Sequence, residues 1–120
     1  MKKEEKQLTD RCRKNIQAVM DTQDLLGGKW KISIVGALYY SGQVRFMELM
    51  RQLDGIAPKV LSKELKDMEA NHLLTRTVTD TTPATVVYEL TQQGKSLSKV
   101  VEAMREWGVV YRQSIMDGDS

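Results

Sequence analysis

The chain has 120 residues, 41% of them apolar and 28% charged, with a formal net charge of +2; that suffices for one domain with a modest core, is too little for two, and is far from the make-up of a disordered chain. A single cysteine, Cys12, excludes an internal disulfide and a cysteine-based zinc site, and the one histidine, His72, adds little, so neither a metal nor any other cofactor is implied. No apolar run approaches the roughly 18 residues of a membrane span, and the charged start lacks an apolar signal region, so a cytoplasmic protein with no membrane partner is expected.

Ile16, Val19 and Met20 recur at helical spacing before Gly27 and Gly28 break the pattern, which predicts a first helix over residues 13–26. Over residues 29–40, Trp30, Ile34 and Leu38 stand four apart with Val35 beside them, and Ser41 and Gly42 end a second helix. Trp30 reads as a core aromatic anchoring that helix rather than as part of a ligand site. Phe46, Leu49, Met50 and Leu53 fall at i, i+3, i+4 and i+7, one apolar stripe on a short helix over residues 45–53, and Asp54 and Gly55 then form a tight turn.

Pro58 suits the first turn of a fourth helix, since its ring fixes a helical φ where an N–H would have no intrahelical partner. Over residues 58–71, Leu61, Leu65 and Met68 form the core side, while Lys59, Ser62, Lys63 and Lys66 line the other side. His72 follows as a helix-end residue. Two strands come next, over residues 73–79 and 85–90: Leu74, Arg76 and Val78 alternate against Val86, Tyr88 and Leu90, and the short Pro-containing linker 80–84 makes them an antiparallel hairpin. Thr91 then caps one long last helix to about residue 116, with Leu97, Val100, Val101, Met104, Trp107 and Tyr111 on one side. Such a helix of about 25 residues is nearly 37 Å long, comparable to a small domain, so its far end needs a partner.

The charge is unevenly spread. Residues 29–66 hold seven Lys or Arg (Lys29, Lys31, Arg45, Arg51, Lys59, Lys63, Lys66) against Glu48, Asp54 and Glu64, a basic stretch in an otherwise slightly acidic chain. Helix, helix, turn, basic helix, hairpin, long helix is the order of a winged helix-turn-helix: an α+β fold, mainly α, with a two-stranded wing and flanking dimerisation helices. One domain over residues 1–120 is expected, with an N-terminal helix and dimer contact (1–28), the winged core (29–90) and a C-terminal dimerisation helix (91–120). A helix about 10–12 Å across fits the major groove of duplex DNA when its outer face is polar and its inner face is held by a core. Lys59 and Lys63 are expected at phosphates or guanine edges, Ser62 at bases or phosphates and Lys66 at the backbone, with Pro58, Arg45 and Arg76 completing the DNA-contacting set.

Several spaced motifs also carry a family resemblance. Leu26-Gly27-Gly28-Lys29-Trp30, Arg45-Phe46 with Glu48-Leu49, Gly55-Ile56, Leu61 and Leu65, then Leu73-Leu74 and Arg76, Pro83, Val86 and Tyr88, Leu90-Thr91 with Gly94, and Trp107-Gly108 occur in the order found in the HxlR-type regulators, relatives of the MarR-like regulators. Over residues 25–108 the chain resembles that family. The resemblance implies a homodimeric DNA-binding regulator that represses or activates genes, often in response to electrophiles or oxidants, and no enzyme. Ile16, Val19, Met20, Met104, Trp107, Val110, Tyr111 and Ile115 are the expected dimer contacts. Two departures stand out. Ala57 occupies a position where family members often have Ser, so the basic helix lacks a side-chain cap and its first turn is expected to fray. Ala84 and Thr85 stand where a Pro followed by a cation is common at the wing.

Cys12 is the candidate redox residue, since Gln17 stands where the family's redox sensors carry their cysteine. Arg11, Arg13 and Lys14 beside Cys12 favour a reactive thiolate, yet no second cysteine is present to resolve an oxidised one, and the preferred reading is an ordinary exposed thiol on a mobile N-terminal segment. Gly94-Lys95-Ser96 echoes the end of a phosphate-binding loop, but Glu89 stands where that loop needs Gly. No catalytic constellation emerges. Two alternatives to a DNA-binding dimer are a winged-helix protein-interaction module and a regulator with a small-molecule pocket at its dimer helices; a random-duplex gel shift separates the first, and a bound metabolite marks the second.

Overall fold

Three helical stripes and the base of a small sheet close over one apolar core. A computed structural model describes residues 9–118, in the order α1 (Asp10–Leu25), α2 (Lys31–Ser41), β1 (Val44–Arg45), α3 (Phe46–Gln52), α4 (Pro58–Ala70), β2 (Leu74–Val78), β3 (Val86–Leu90), α5 (Gln92–Lys95) and α6 (Ser98–Met116). The i, i+3, i+4 residues expected to face inward do so: Ile34, Val35 and Leu38 from α2, Leu49 from α3, and Leu61, Leu65 and Met68 from α4 are all buried, joined by Leu74, Tyr88 and Leu90 of the sheet and Val101 of α6. Trp30 is only half-buried, packing on the rim of this core with the Lys29 ammonium 4.9 Å from its ring centre.

The sheet has three antiparallel strands in the order β1-β3-β2. The hairpin register is the expected one, with Leu74 opposite Leu90, Arg76 opposite Tyr88 and Val78 opposite Val86. In β2 only the base is buried, Leu74 being buried while Arg76 and Val78 are exposed, whereas in β3 burial reaches up to Val87; beyond that the hairpin leaves the core as a wing. The third strand, β1, had no signal in the periodicity. Arg45, expected inside the third helix, instead pairs with Val87 and precedes α3, and the Glu48 carboxylate accepts its backbone N–H at 3.2 Å. Two residues are too few to show a period of two.

At the end of α4 the chain turns through His72, whose φ of 61° is left-handed. The N–H of Leu73 donates to Met68 O at 2.9 Å and that of His72 to Glu69 O at 3.0 Å, and the apolar pair Leu73 and Met68 is buried beneath them. This is the paired-bond helix ending usually built on glycine, and it accounts for His72 as a helix-end residue.

The expected single last helix is divided. Thr91 is indeed a cap, its Oγ1 accepting the Gly94 N–H at 3.0 Å, but the helix it caps is the short α5. The same hydroxyl donates to His72 O at 2.7 Å, and the Thr91 N–H donates to Leu73 O at 3.0 Å. A Cβ on Gly94 would lie 2.0 Å from Leu73 O. Those contacts fix α5 against the end of α4, and a tighter turn, Leu97 N–H to Gly94 O at 3.1 Å, precedes α6. Tyr40 donates to Glu102 at 2.5 Å and Arg105 Nε donates to its other oxygen at 2.9 Å, joining α2 to α6 and holding the Glu102 carboxyl below its ordinary range.

α1 and most of α6 lie outside this core. The molecule measures 69 × 40 × 23 Å, with a radius of gyration of 18.3 Å against about 14 Å for a compact domain of this length. α1 begins at Asp10 rather than near residue 13, because Thr9 caps it and accepts the Cys12 N–H at 3.1 Å. Cys12 therefore sits in the first turn of a helix, exposed, and not on an irregular segment.

Candidate nucleic-acid interface

The outward face of α4 follows from its sequence period. With Leu61, Leu65 and Met68 buried, Lys59, Ser62, Lys63 and Lys66 are forced to the opposite side, where all four are exposed. Gly55, with φ of 93°, makes the turn after α3, and buried Ile56 pins the connection. Ala57 is extended (φ −80°, ψ 146°) and provides no side-chain cap, as expected, yet the first turn is helical: Pro58 occupies its start and the Leu61 N–H reaches Ala57 O at 3.0 Å. Pro58 pre-sets the helical φ at this uncapped start and removes one N–H that would lack an intrahelical partner.

Not every cation in the basic stretch faces outward. Lys31 of α2 hydrogen-bonds Glu64 on the flank of α4 and lies 3.6 Å from Asp67, with only 14% and 13% of the Lys31 and Glu64 side chains exposed. Lys63 lies 3.9 Å from Asp67 but stays 74% exposed. Lys59, Lys66, Arg45 and Arg76 make no ion pair with any described residue. Three of the stretch's cations thus share one exposed side of α4, with Arg45 and Arg76 on the strands.

The structure brings Ser62, Lys66 and Arg76 together. They line a cleft of about 510 Å³ between α4 and the wing, floored by Phe46, Leu65, Val86 and Tyr88, with Glu69 on its wall. Lys59 and Lys63 share a shallower depression on α4 with Ser62, Lys66 and the carboxylate of Asp67. Arg45 does not join them: it is opposite Val87, whereas Arg76 is opposite Tyr88, and adjacent residues of β3 face opposite sides of the sheet. Tyr88 was not among the expected site residues, although the alternation that pairs it with Arg76 was the signal that could have found it.

The expected dimer contacts are exposed without exception. Ile16, Val19 and Met20 lie on α1, which buries no residue, and Met104, Trp107, Val110, Tyr111 and Ile115 lie on α6, with Trp107 stacked on Tyr111 at 4.8 Å. Val19 and Met104 both line a mainly apolar groove of about 690 Å³ formed by α1, the start of α2 and α6. Among the described residues no cluster of His, Cys, Asp and Glu fit to hold a metal occurs, and no helix is long and apolar enough to cross a membrane.

A sequence-family model described as HxlR-like helix-turn-helix matches residues 25–116. The chain belongs to this HxlR-like family. A helix-turn-helix transcriptional regulator of Halalkalibacterium halodurans is 41% identical over 88 residues, 73% of this chain and 78% of that one. Among solved structures, the helix-turn-helix regulator YtcD, known from Bacillus subtilis, is 34% identical with a TM-score of 0.73, covering 79% of this chain and 96% of that one. The redox regulator HypR in its reduced form is 33% identical with a TM-score of 0.75, covering 83% of this chain and 98% of that one. The HxlR-like chain is accordingly a winged helix-turn-helix transcriptional regulator, and its relatives are regulators rather than enzymes.

Proposed function

We propose that this HxlR-like regulator acts in the cytoplasm as a homodimer that binds a palindromic operator in duplex DNA, each protomer inserting α4 into a major groove. The observation that carries this is the face of α4 itself: Lys59, Ser62, Lys63 and Lys66 are exposed together, Glu64 is withdrawn to the flank by Lys31, and Asp67, shared between Lys31 and Lys63, is the one carboxylate among them. Lys59, Lys63 and Ser62 are assigned to base edges and phosphates, Pro58 to the close approach of the helix start, and Lys66, Arg76 and Arg45 to the DNA backbone. The single domain is used in three parts, with α1 and α6 as the dimer elements on either side of the winged core.

A dimer answers two requirements at once. Recognition helices must sit about 34 Å apart to enter successive major grooves on one side of the duplex, which a two-fold axis arranges. It would also cover Val19, Trp107 and Val110, each about two-thirds exposed in the single chain. The test is a gel shift of Lys59→Ala/Lys63→Ala. Specific binding should be lost and the salt dependence of residual binding should weaken by about two counterions, while unfolding stability changes by less than about 1 kcal/mol because both side chains are exposed. A double variant that binds its operator as tightly as the unaltered protein refutes the assignment of α4.

A further inference from the structure

We propose that the cleft between α4 and the wing is a seat for one backbone phosphate of the bound DNA, held by Lys66, Arg76 and the hydroxyl of Tyr88. The proposal rests on the DNA-binding reading and extends it to the residue that grips the backbone.

Tyr88 is the observation that demands an explanation. Its side chain belongs to the core, with 8% of the residue exposed, yet none of the described residues hydrogen-bonds its hydroxyl. Tyrosine that far buried ordinarily finds a partner for its O–H, and phenylalanine would fill the core equally well without one. The hydroxyl is not sealed among apolar atoms, because no buried polar side-chain atom lacks a partner among the described residues. Tyr88 lines the cleft, so a donor is left at a solvent-reachable edge of the core.

The cleft's other walls supply what a phosphate needs. Arg76 is directly opposite Tyr88 on the neighbouring strand, hence on the same face of the sheet. Ser62 and Lys66 are one turn apart on α4 and face the strands across the cleft. Neither Lys66 nor Arg76 forms an ion pair with a carboxylate among the described residues. Glu69 stands on the same wall and offsets one of the two cations, leaving a net positive seat suited to a single monoanionic diester rather than to a more highly charged free anion. The position also fits the duplex: with α4 in a major groove and the wing over the neighbouring minor groove, the strand of sugar and phosphate that separates the two grooves must pass between them.

The test uses a duplex selected in vitro from random sequence with the unaltered protein. Tyr88→Phe removes only the oxygen and should leave the thermal midpoint unchanged while weakening binding roughly ten- to a hundredfold, the ordinary worth of one charge-assisted hydrogen bond. The salt slope should stay the same, because the hydroxyl is neutral, whereas Lys66→Gln and Arg76→Gln should each lower it by about one. Neutral methylphosphonates placed singly along the duplex should reveal a position that costs the unaltered protein affinity and costs Tyr88→Phe correspondingly less. Inorganic phosphate should displace the duplex no better than chloride at equal ionic strength; stronger displacement makes the cleft a free-anion site and overturns the proposal. Full affinity in Tyr88→Phe, alongside lost binding in Lys59→Ala/Lys63→Ala, refutes the seat while leaving the DNA-binding reading intact. An unaltered protein that binds no duplex ends both.

Discussion

The ammonium of Lys31 donates a hydrogen bond to the carboxylate of Glu64, joining two residues 33 apart in sequence where α2 passes α4. Asp67, one turn further along α4, is a second acceptor at 3.6 Å. Both partners of the main pair are largely withdrawn from water, so the pair orients α4 in a way a surface ion pair does not.

Replacing Lys31 by Met should therefore cost about 1–3 kcal/mol of stability, between the values for exposed and buried pairs, because Glu64 is left without its partner. The Glu64 hydrogen bond, with the charges of Glu64 and Asp67, raises the Lys31 pKa above its ordinary 10.5 against the opposing effect of burial. A raised folded pKa means that the contribution is complete below 10.5 and is lost as pH rises through the folded value. Thermal midpoints measured from neutral to strongly alkaline pH should show unaltered protein and Lys31→Met converging above 10.5. A gap that stays constant would mean that the loss comes from packing of the lysine stem.

Gly94 should tolerate no side chain. A Cβ there meets Leu73 O at 2.0 Å and the Leu90 side chain at 3.0 Å, and Leu73 O is already held by the Thr91 N–H. Gly94→Ala must push α5 off the end of α4, at a cost of about 2–4 kcal/mol, read as a lower urea midpoint. An unchanged midpoint would show that α5 docks more loosely than its hydrogen bonds imply.

Val110→Asp tests the dimer. The residue is 69% exposed in the single chain, so the substitution should leave its folding intact and act only on association. Sedimentation should give dimer for the unaltered protein and monomer for the variant at concentrations on the order of tens of micromolar, with a large loss of operator affinity as two linked half-sites become independent. Monomer in both samples would dismiss α1 and α6 as dimer elements.

Cys12 is expected not to carry a redox signal. It is exposed in the first turn of α1, and as the chain's one cysteine it has no internal thiol to resolve an oxidised form. Operator binding by unaltered protein and Cys12→Ser should respond identically to titration with diamide. Loss of binding that only the serine variant escapes would identify an intersubunit or mixed disulfide at Cys12 as the switch.

Consecutive residues determined much of this protein. The three- and four-residue spacing of Leu61, Leu65 and Met68 set both the buried side of α4 and, by exclusion, its basic face, and the alternation from Leu74 to Leu90 set the hairpin register. These features are legible because a helix or hairpin repeats its geometry every few residues, so the order of side chains already states which face each takes. Tertiary structure decided what distant segments do to one another. It took Lys31 out of the exposed charge by setting it against Glu64, recruited Val44 and Arg45 as a third strand, divided the last helix by pressing Gly94 onto Leu73, and opened the cleft that puts Tyr88 beside Lys66. Those outcomes depend on how helices cross and sheets stack, a geometry fixed by the packing of the whole core and carried by no local period.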